Sequence, residues 1–386
     1  MIGMAFAALG LAAATACTPA TSTDTGASET HSQGGYELTD VAGRTVTLDE
    51  APDRIVLAEG RGLFATSILN KDNPLEHIVA IGEDLHSAAP SYEERLLKAV
   101  PELADVPTVG NVAKGDVSVE NLLSLNPDVV VMTLDHKDAA EESGMLTKMD
   151  QAGLQYVFTD FRQKPLVNTP KTMKLYGQLL GKQDKAEEFV DFYSIKVDDI
   201  TTRAAALKDK PTALYWRAGG MTDCCATNNN SNLADLINAA GGDNIGDHLL
   251  STPKGDITAE KVVEAQPDHL IITGGAWAKD PKKPEFLPHV EMGYTAERAT
   301  TESTLLGLMR TPGFDVLDAP KKGNMHAVYH QFYDSPLNVF ALEQFAQWLH
   351  PEEFADLDPQ GDFEDFHTQW MPFDYSGSFF ATVTAK

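Results

Sequence analysis

Two kinds of hydrophobic pattern alternate along the chain. Short apolar, β-branched runs at Arg54–Ala58, Ile78–Ile81, Val129–Thr133 and Tyr156–Thr159 predict buried strands. Between them, helical-period segments fall near Leu63–Leu69, Tyr92–Val100, Val119–Leu125 and Ala139–Ala152. The alternation returns later, with strands predicted at Thr212–Trp216, Leu270–Thr273 and Ala327–Tyr329 and helices at Asn232–Ala240, Ala259–Ala265 and Leu337–Leu349. Strand–helix alternation gives a parallel sheet covered by helices. The stretch Thr169–Leu207 has helical periodicity, interrupted only by Gly177 and Gly181, and no strand. It predicts a single connecting helix, about 58 Å long if continuous at 1.5 Å per residue. The expected fold is α/β: two Rossmann-like lobes with mainly parallel sheets joined by one long helix. The expected boundaries are 36–168 for the N-terminal lobe, 169–207 for the connecting helix and 208–386 for the C-terminal lobe. One rigid connector allows only small hinge motion.

A repeat supports two lobes on one plan. DVSVENLLSLNPDVVVMT at Asp116–Thr133 returns as DITAEKVVEAQPDHLIIT at Asp256–Thr273. In each, Ser118 or Thr258 is placed to cap a helix that ends before Pro127 or Pro267, and a buried strand follows. Glu120/Glu260, Pro127/Pro267 and Asp128/Asp268 keep a fixed offset.

The first residues change the cellular picture. Met1–Ala16 is apolar or small and stops at Cys17, and Thr18–Gly35 is rich in Thr, Ser, Gly and Ala. This reads as an export signal followed by a flexible tether. Leu11–Cys17 resembles a bacterial lipobox, which makes Cys17 the expected site of acylation, although no Lys or Arg precedes the apolar run. The chain is then expected on the extracytoplasmic face of the cell membrane, held by a lipid anchor. No later stretch approaches the roughly 20 apolar residues that span a bilayer.

With 57 acidic against 30 basic residues the formal net charge is −27, which disfavours nucleic acid and anionic membrane surfaces as partners. Three cysteines exclude a disulfide scaffold. The adjacent Cys224 and Cys225 are expected as buried thiols or one reactive site, because a bond between neighbours is rare.

The segment TDVAGRTVTLDEAPDRIVLAEG at Thr39–Gly60, the paired VSVENLLSLNPDVVV and ITAEKVVEAQPDHLIIT, GGDNIG at Gly241–Gly246 and HAVYHQFYDSPLNVFALEQFAQWLHPEEF at His326–Phe354 resemble the substrate-binding proteins of iron-complex and cobalamin ABC importers. The last block is closer to the iron-complex branch. The resemblance implies a ligand cleft between two lobes, a helical backbone, and partnership with an ABC permease and its ATPase. It also implies that a surface glutamate at the start of the repeated helix docks on permease arginines. Glu120 and Glu260 occupy those positions. A carboxylate in a first helical turn is also favoured by the helix dipole, which explains one such residue without any partner.

Ligands of open parallel sheets bind beyond the carboxyl ends of the strands. The loops there are Glu59–Gly62, Glu83–His86, Asp135–Lys137 and Asp160–Gln163 in the first lobe, and Arg217–Thr222, Gly274–Trp277 and His330–Tyr333 in the second. They bring Arg61, Arg162 and Arg217, with His86, His136, His330, Trp277 and Tyr333, as candidate ligand contacts. Converging guanidiniums favour an anionic ligand. A ferric chelate, siderophore or similar, fits, with His136, His330 or Tyr333 available to complete an iron shell through the bound chelate. The ordinary alternative for each arginine is a salt bridge between lobes. Arg310 has no clear place. Haem, cobalamin or a nickel chelate are the rival cargoes, and an exported enzyme with an unrecognised cleft is the rival class.

Catalytic motifs fit less well. GRGLFA at Gly60–Ala65, with Glu83 about 20 residues on, matches a dinucleotide fingerprint, but export removes the cofactor, and a tight turn able to face an anion is the better reading. GNVAKGD at Gly110–Asp116 lacks the P-loop Lys-Ser/Thr, and neither G-x-S-x-G nor H-E-x-x-H occurs. No enzyme and no resident cofactor is expected.

Overall fold

The structure, a computed structural model, describes residues 35–221, 224–277 and 289–385. The expected signal, tether and Cys17, and Thr222 in one cleft loop, lie outside the described residues.

A hairpin of β1 (Tyr36–Thr39) and β2 (Thr45–Leu48) precedes the first sheet. That sheet contains β3 (Ile55–Leu57), β4 (Ile78–Gly82), β5 (Thr108–Val109), β6 (Val129–Thr133) and β7 (Tyr156–Thr159), all parallel in the order β5-β4-β3-β6-β7. Side chains alternate across it. Ile55, Leu57, Val129 and Val131 join one core cluster, and Val56, Ala58, Val130 and Met132 the other. Both faces are therefore apolar, which is why these strands read as continuous hydrophobic runs.

The second sheet contains β8 (Thr212–Trp216), β10 (Asp243–Asn244), β12 (His269–Gly274), β13 (Met325–Tyr329) and β14 (Phe380–Val383), in the order β10-β8-β12-β13-β14. Only β14, at the edge, is antiparallel. Next to β8, β9 (Ala226–Asn228) and β11 (Lys254–Asp256) form a small antiparallel pair.

The repeat has a structural meaning. Asn126 and Gln266 both take positive φ, 47° and 42°, to end their helices ahead of the prolines. Asp128 Oδ2 accepts the N–H groups of Asp53 and Arg54 at 2.9 and 2.8 Å, just ahead of β3. Asp268 Oδ2 accepts the Thr212 N–H at 3.0 Å and its hydroxyl at 2.8 Å, at the start of β8. Each aspartate thus satisfies backbone donors at the beginning of the neighbouring strand.

The connector differs from the expectation. It is helical, but the long helix covers Gln183–Ala206, and a separate helix, Pro165–Leu179, precedes it. Gly181, at φ 62°, turns the chain between them, and Lys182 N–H closes back on the Gly177 carbonyl at 2.7 Å. The two helices fold back on each other, since the Tyr193 hydroxyl reaches the Pro165 carbonyl at 3.4 Å. Periodicity alone does not register a left-handed glycine. At 1.5 Å per residue the long helix spans about 36 Å rather than 58 Å. It docks on the second lobe, where Tyr193 donates to Asn338 Oδ1 at 2.7 Å.

Candidate functional site

The loops beyond the strand ends of the two sheets meet face to face. After β3 the chain turns through Gly60–Gly62, where an added Cβ on Gly60 would strike the Gly82 carbonyl and the Leu85 side chain. The glycine is required by close approach to β4. Its N–H donates to Asp84 Oδ1 at 2.6 Å and that of Arg61 to Asp84 Oδ2 at 3.3 Å. The anion-facing turn is thus occupied by the protein's own carboxylate.

Arg61 and Arg162, both buried, lie at the centre. Arg61 pairs with Glu59, with Asp84 Oδ2 at 2.9 Å through Nε, and with Asp334 Oδ2 at 3.1 Å through Nη1. Arg162 pairs with Glu59 and with Asp334, each at 2.5 Å, and with Asp135 at 3.4 Å. Asp334 follows β13, so the first lobe's arginines hold a second-lobe carboxylate. Burial opposes both guanidinium charges, but Asp334 and Glu59 outweigh it and raise both pKa values well above the ordinary arginine value. For Asp334 the balance is reversed: burial pushes its carboxyl up despite the pull of Arg162 and Arg61.

Tyr333 caps this cluster. Its hydroxyl accepts from Arg61 Nη1 at 2.5 Å, and its ring lies 5.5 Å from the Arg61 and 5.3 Å from the Arg162 guanidinium carbon. His330 packs 4.5 Å from that ring and 4.9 Å from Trp277, and its Nδ1 meets Thr273 Oγ1 at 2.8 Å. Burial, with the positive field of Arg217, Arg61 and Arg162, pushes the His330 pKa well down, so the ring is neutral. His136 is buried beside Glu59 Oε2 at 3.3 Å, and burial lowers its pKa too.

The remaining expected contacts are placed differently. Arg217 is half-buried, forms no ion pair among the described residues, and leaves its Nε without a hydrogen-bond partner. His86 lies outside the cluster, with 85% of its side chain exposed and Nδ1 on Glu93 at 2.9 Å. Arg310 is exposed on a short 3-10 turn. Glu59, Asp84 and Asp334 are the residues that sequence reasoning did not single out. Glu59 and Asp84 sat within the named loops and Asp334 one position past the last; acidic side chains in arginine-rich cleft loops were the signal.

A cavity beside the cluster, lined by Glu59, Arg61, Thr133, Tyr176 and Asp334 among others, measures about 10 Å³, room for about one water. Among the described residues no group of three His, Cys, Asp or Glu side chains is arranged to hold a metal ion.

Cys224 and Cys225 are joined by a disulfide, not left as thiols. Cys225 exchanges backbone hydrogen bonds with Ile257 where the strand pair β9–β11 ends.

On the outer surface, Glu120 and Glu260 are exposed in the first turns of equivalent helices, Val119–Ser124 and Ala259–Ala265. Glu120 accepts from the Ser118 hydroxyl at 2.9 Å. A backbone hydrogen bond lowers the Glu120 pKa and the Thr258 hydroxyl that of Glu260, so both are anionic.

The family profile described as periplasmic binding protein matches residues 74–324, and the chain belongs to that family. It is an extracytoplasmic solute-binding protein of the TroA-like class, whose members deliver ligands to ABC permeases. Among solved structures it is similar to the TroA-like periplasmic binding protein FepB from Veillonella parvula, at 29% identity and TM-score 0.80 over 90% of this chain and 100% of that one. The fold is shared with Helicobacter pylori CeuE with Ni(II) bound, at 16% identity and TM-score 0.63 over 88% and 96% of the two chains. It is also shared with a periplasmic heme binding protein from Pseudomonas aeruginosa, at 18% identity and TM-score 0.52 over 78% and 94%. No curated protein sequence matches. Among the described residues no helix is long and apolar enough to cross a membrane.

Proposed function

We propose that the protein captures a ferric siderophore or similar iron chelate and presents it to an ABC permease, whose ATPase drives import. The observation that supports this reading is Arg217. It is half-buried, free of carboxylates among the described residues, and close enough to His330 to lower its basicity, while His330 itself packs against Trp277 and Tyr333. A guanidinium without a counter-ion, in a cleft that also holds aromatic rings, suits a ligand that is anionic and ring-bearing together, as a catecholate chelate of iron is. Arg61, Arg162 and His136 complete the first-lobe side of the cleft. His136, His330 or Tyr333 fills open iron positions where a chelate leaves them. Glu120 and Glu260 dock on the permease, and Cys17 carries the lipid anchor. No bond in the cargo is made or broken by this chain.

The test is quenching of tryptophan fluorescence in the purified protein, titrated with ferric catecholate, ferric hydroxamate, haem, cobalamin and nickel–histidine, and repeated with Arg217→Ala. Saturable quenching by the ferric catecholate, weakened about tenfold or more by the substitution, is expected from loss of one charge-assisted contact. Binding of haem, cobalamin or nickel–histidine in its place would overturn the cargo.

A further inference from the structure

The central ion cluster is asymmetric between the lobes. Arg61 and Arg162 come from the first lobe, as do three of their four carboxylate partners, Glu59, Asp84 and Asp135. Asp84 is fixed further by the Gly60 and Arg61 N–H groups. These three stay with the arginines however the lobes move. Asp334 alone comes from the second lobe, and its Oδ2 touches both guanidiniums at once. It is 4% exposed, and a carboxylate so buried is tolerable only because two cations and their donors compensate it.

A single anionic oxygen held between two guanidiniums under a tyrosine ring is the contact an acidic oxygen of a ligand would make. With about 10 Å³ of cavity beside it, the contact has no room for both. We infer that Asp334 is an internal stand-in for the ligand's acidic oxygen: an anionic chelate reaches Arg61 and Arg162 by displacing the Asp334 carboxylate. The residue thereby sets how strongly the site discriminates between anionic and uncharged chelates. This inference rests on the iron-chelate reading above.

Electrostatics gives the direction. Asp334 competes with an anion for the same two cations, and its charge repels the incoming one in a site of low dielectric. An uncharged chelate has no such competition for the guanidiniums. Removing the Asp334 charge while keeping its shape therefore favours the anionic chelate selectively. A residue that merely ties the lobes together would weaken or strengthen both chelates alike.

The experiment titrates the purified protein and its Asp334→Asn variant with ferric tris-catecholate, which is anionic, and ferric tris-hydroxamate, which is uncharged. Thermal melting establishes that the variant is folded, and Asp334→Ser provides the same charge change with a smaller side chain should the amide fail to fold. The ratio of catecholate to hydroxamate affinity is expected to rise about tenfold. An unchanged or lower ratio in a folded variant overturns the inference and leaves the iron-chelate reading intact. Failure of the natural protein and both variants to bind either chelate overturns the two together.

Discussion

Trp277, from the second lobe, donates its indole N–H to the carbonyl of Ala88 in the first at 2.9 Å, and Gln331 donates to the same carbonyl at 2.7 Å. One backbone oxygen on the first lobe therefore anchors two side chains of the second. This latch lies on the periphery of the ion cluster, since Gln331 Oε1 also accepts from Arg61 Nη1 at 3.3 Å. Latch and cluster must open together.

A ligand too large for the closed cleft therefore breaks the Trp277–Ala88 bond and exposes the indole. The emission of the protein is expected to shift to the red on binding a ferric chelate, in addition to any quenching. Trp277→Phe should lose the shift and loosen the closed form by about 1 kcal/mol, the net worth of one neutral hydrogen bond. An equal red shift in Trp277→Phe would assign the signal to another tryptophan and remove the latch from the mechanism.

The turn between the connector helices depends on one residue. Gly181 holds φ 62° with nothing within 4 Å of where a Cβ would stand, so an alanine there meets no clash but adopts a left-handed conformation. Gly181→Ala is expected to lower unfolding free energy by about 1–2 kcal/mol and to leave chelate affinity alone, as urea denaturation and fluorescence titration would measure. No loss of stability would mean that the two helices are joined by some other turn.

Glu120 and Glu260 lie on the outer surface, away from Arg61 and Asp334. Their alanine variants should keep chelate affinity in the titration. Uptake of radioactive ferric chelate by cells carrying either variant should fall, and the double variant should fall furthest, because two-point docking loses its cooperative half with each. Undiminished uptake with both glutamates removed would reduce them to helix-terminal carboxylates.

Much of this arrangement was legible in the chain. The runs Val129–Thr133, Tyr156–Thr159 and Thr212–Trp216 are strands with those same bounds, because strands buried on both faces leave an unbroken apolar signal. The hairpin of β1 and β2, the edge strand β14 and the helix Pro359–Trp370 were not read. They are short or mixed in polarity, and β14 owes its conformation to β13, a partner distant in sequence. The cleft loops were legible from topology, but how their charges pair was not. Arg61 and Arg162 read as ligand contacts, and only three-dimensional placement puts Asp334 between them.

Acid should weaken the fold through a histidine pair remote from the cleft. His269, at the start of β12, and His326, near the start of β13, are buried with His269 Nδ1 and His326 Nε2 at 3.1 Å. His326 Nδ1 meets the Thr382 hydroxyl at 2.9 Å, and the ring stacks on Trp348 at 4.4 Å. Burial lowers the His269 pKa to about 4, with Asp268 pulling the other way and His350 adding to the depression. Burial, then His269, lowers that of His326 well below its ordinary value. Both histidines are neutral when folded and take up protons near pH 6.5 when unfolded. Their contribution is thus complete above pH 6.5 and falls away as pH drops toward 4, by roughly 3 kcal/mol for His269 at the lower end. Urea unfolding at intervals from pH 7 to 4 should show this decline, and His269→Gln, which cannot titrate, should flatten part of it. The same slope in that variant as in the natural protein would assign the acid sensitivity to other groups, the buried His367 among them, whose pKa burial also lowers to about 4.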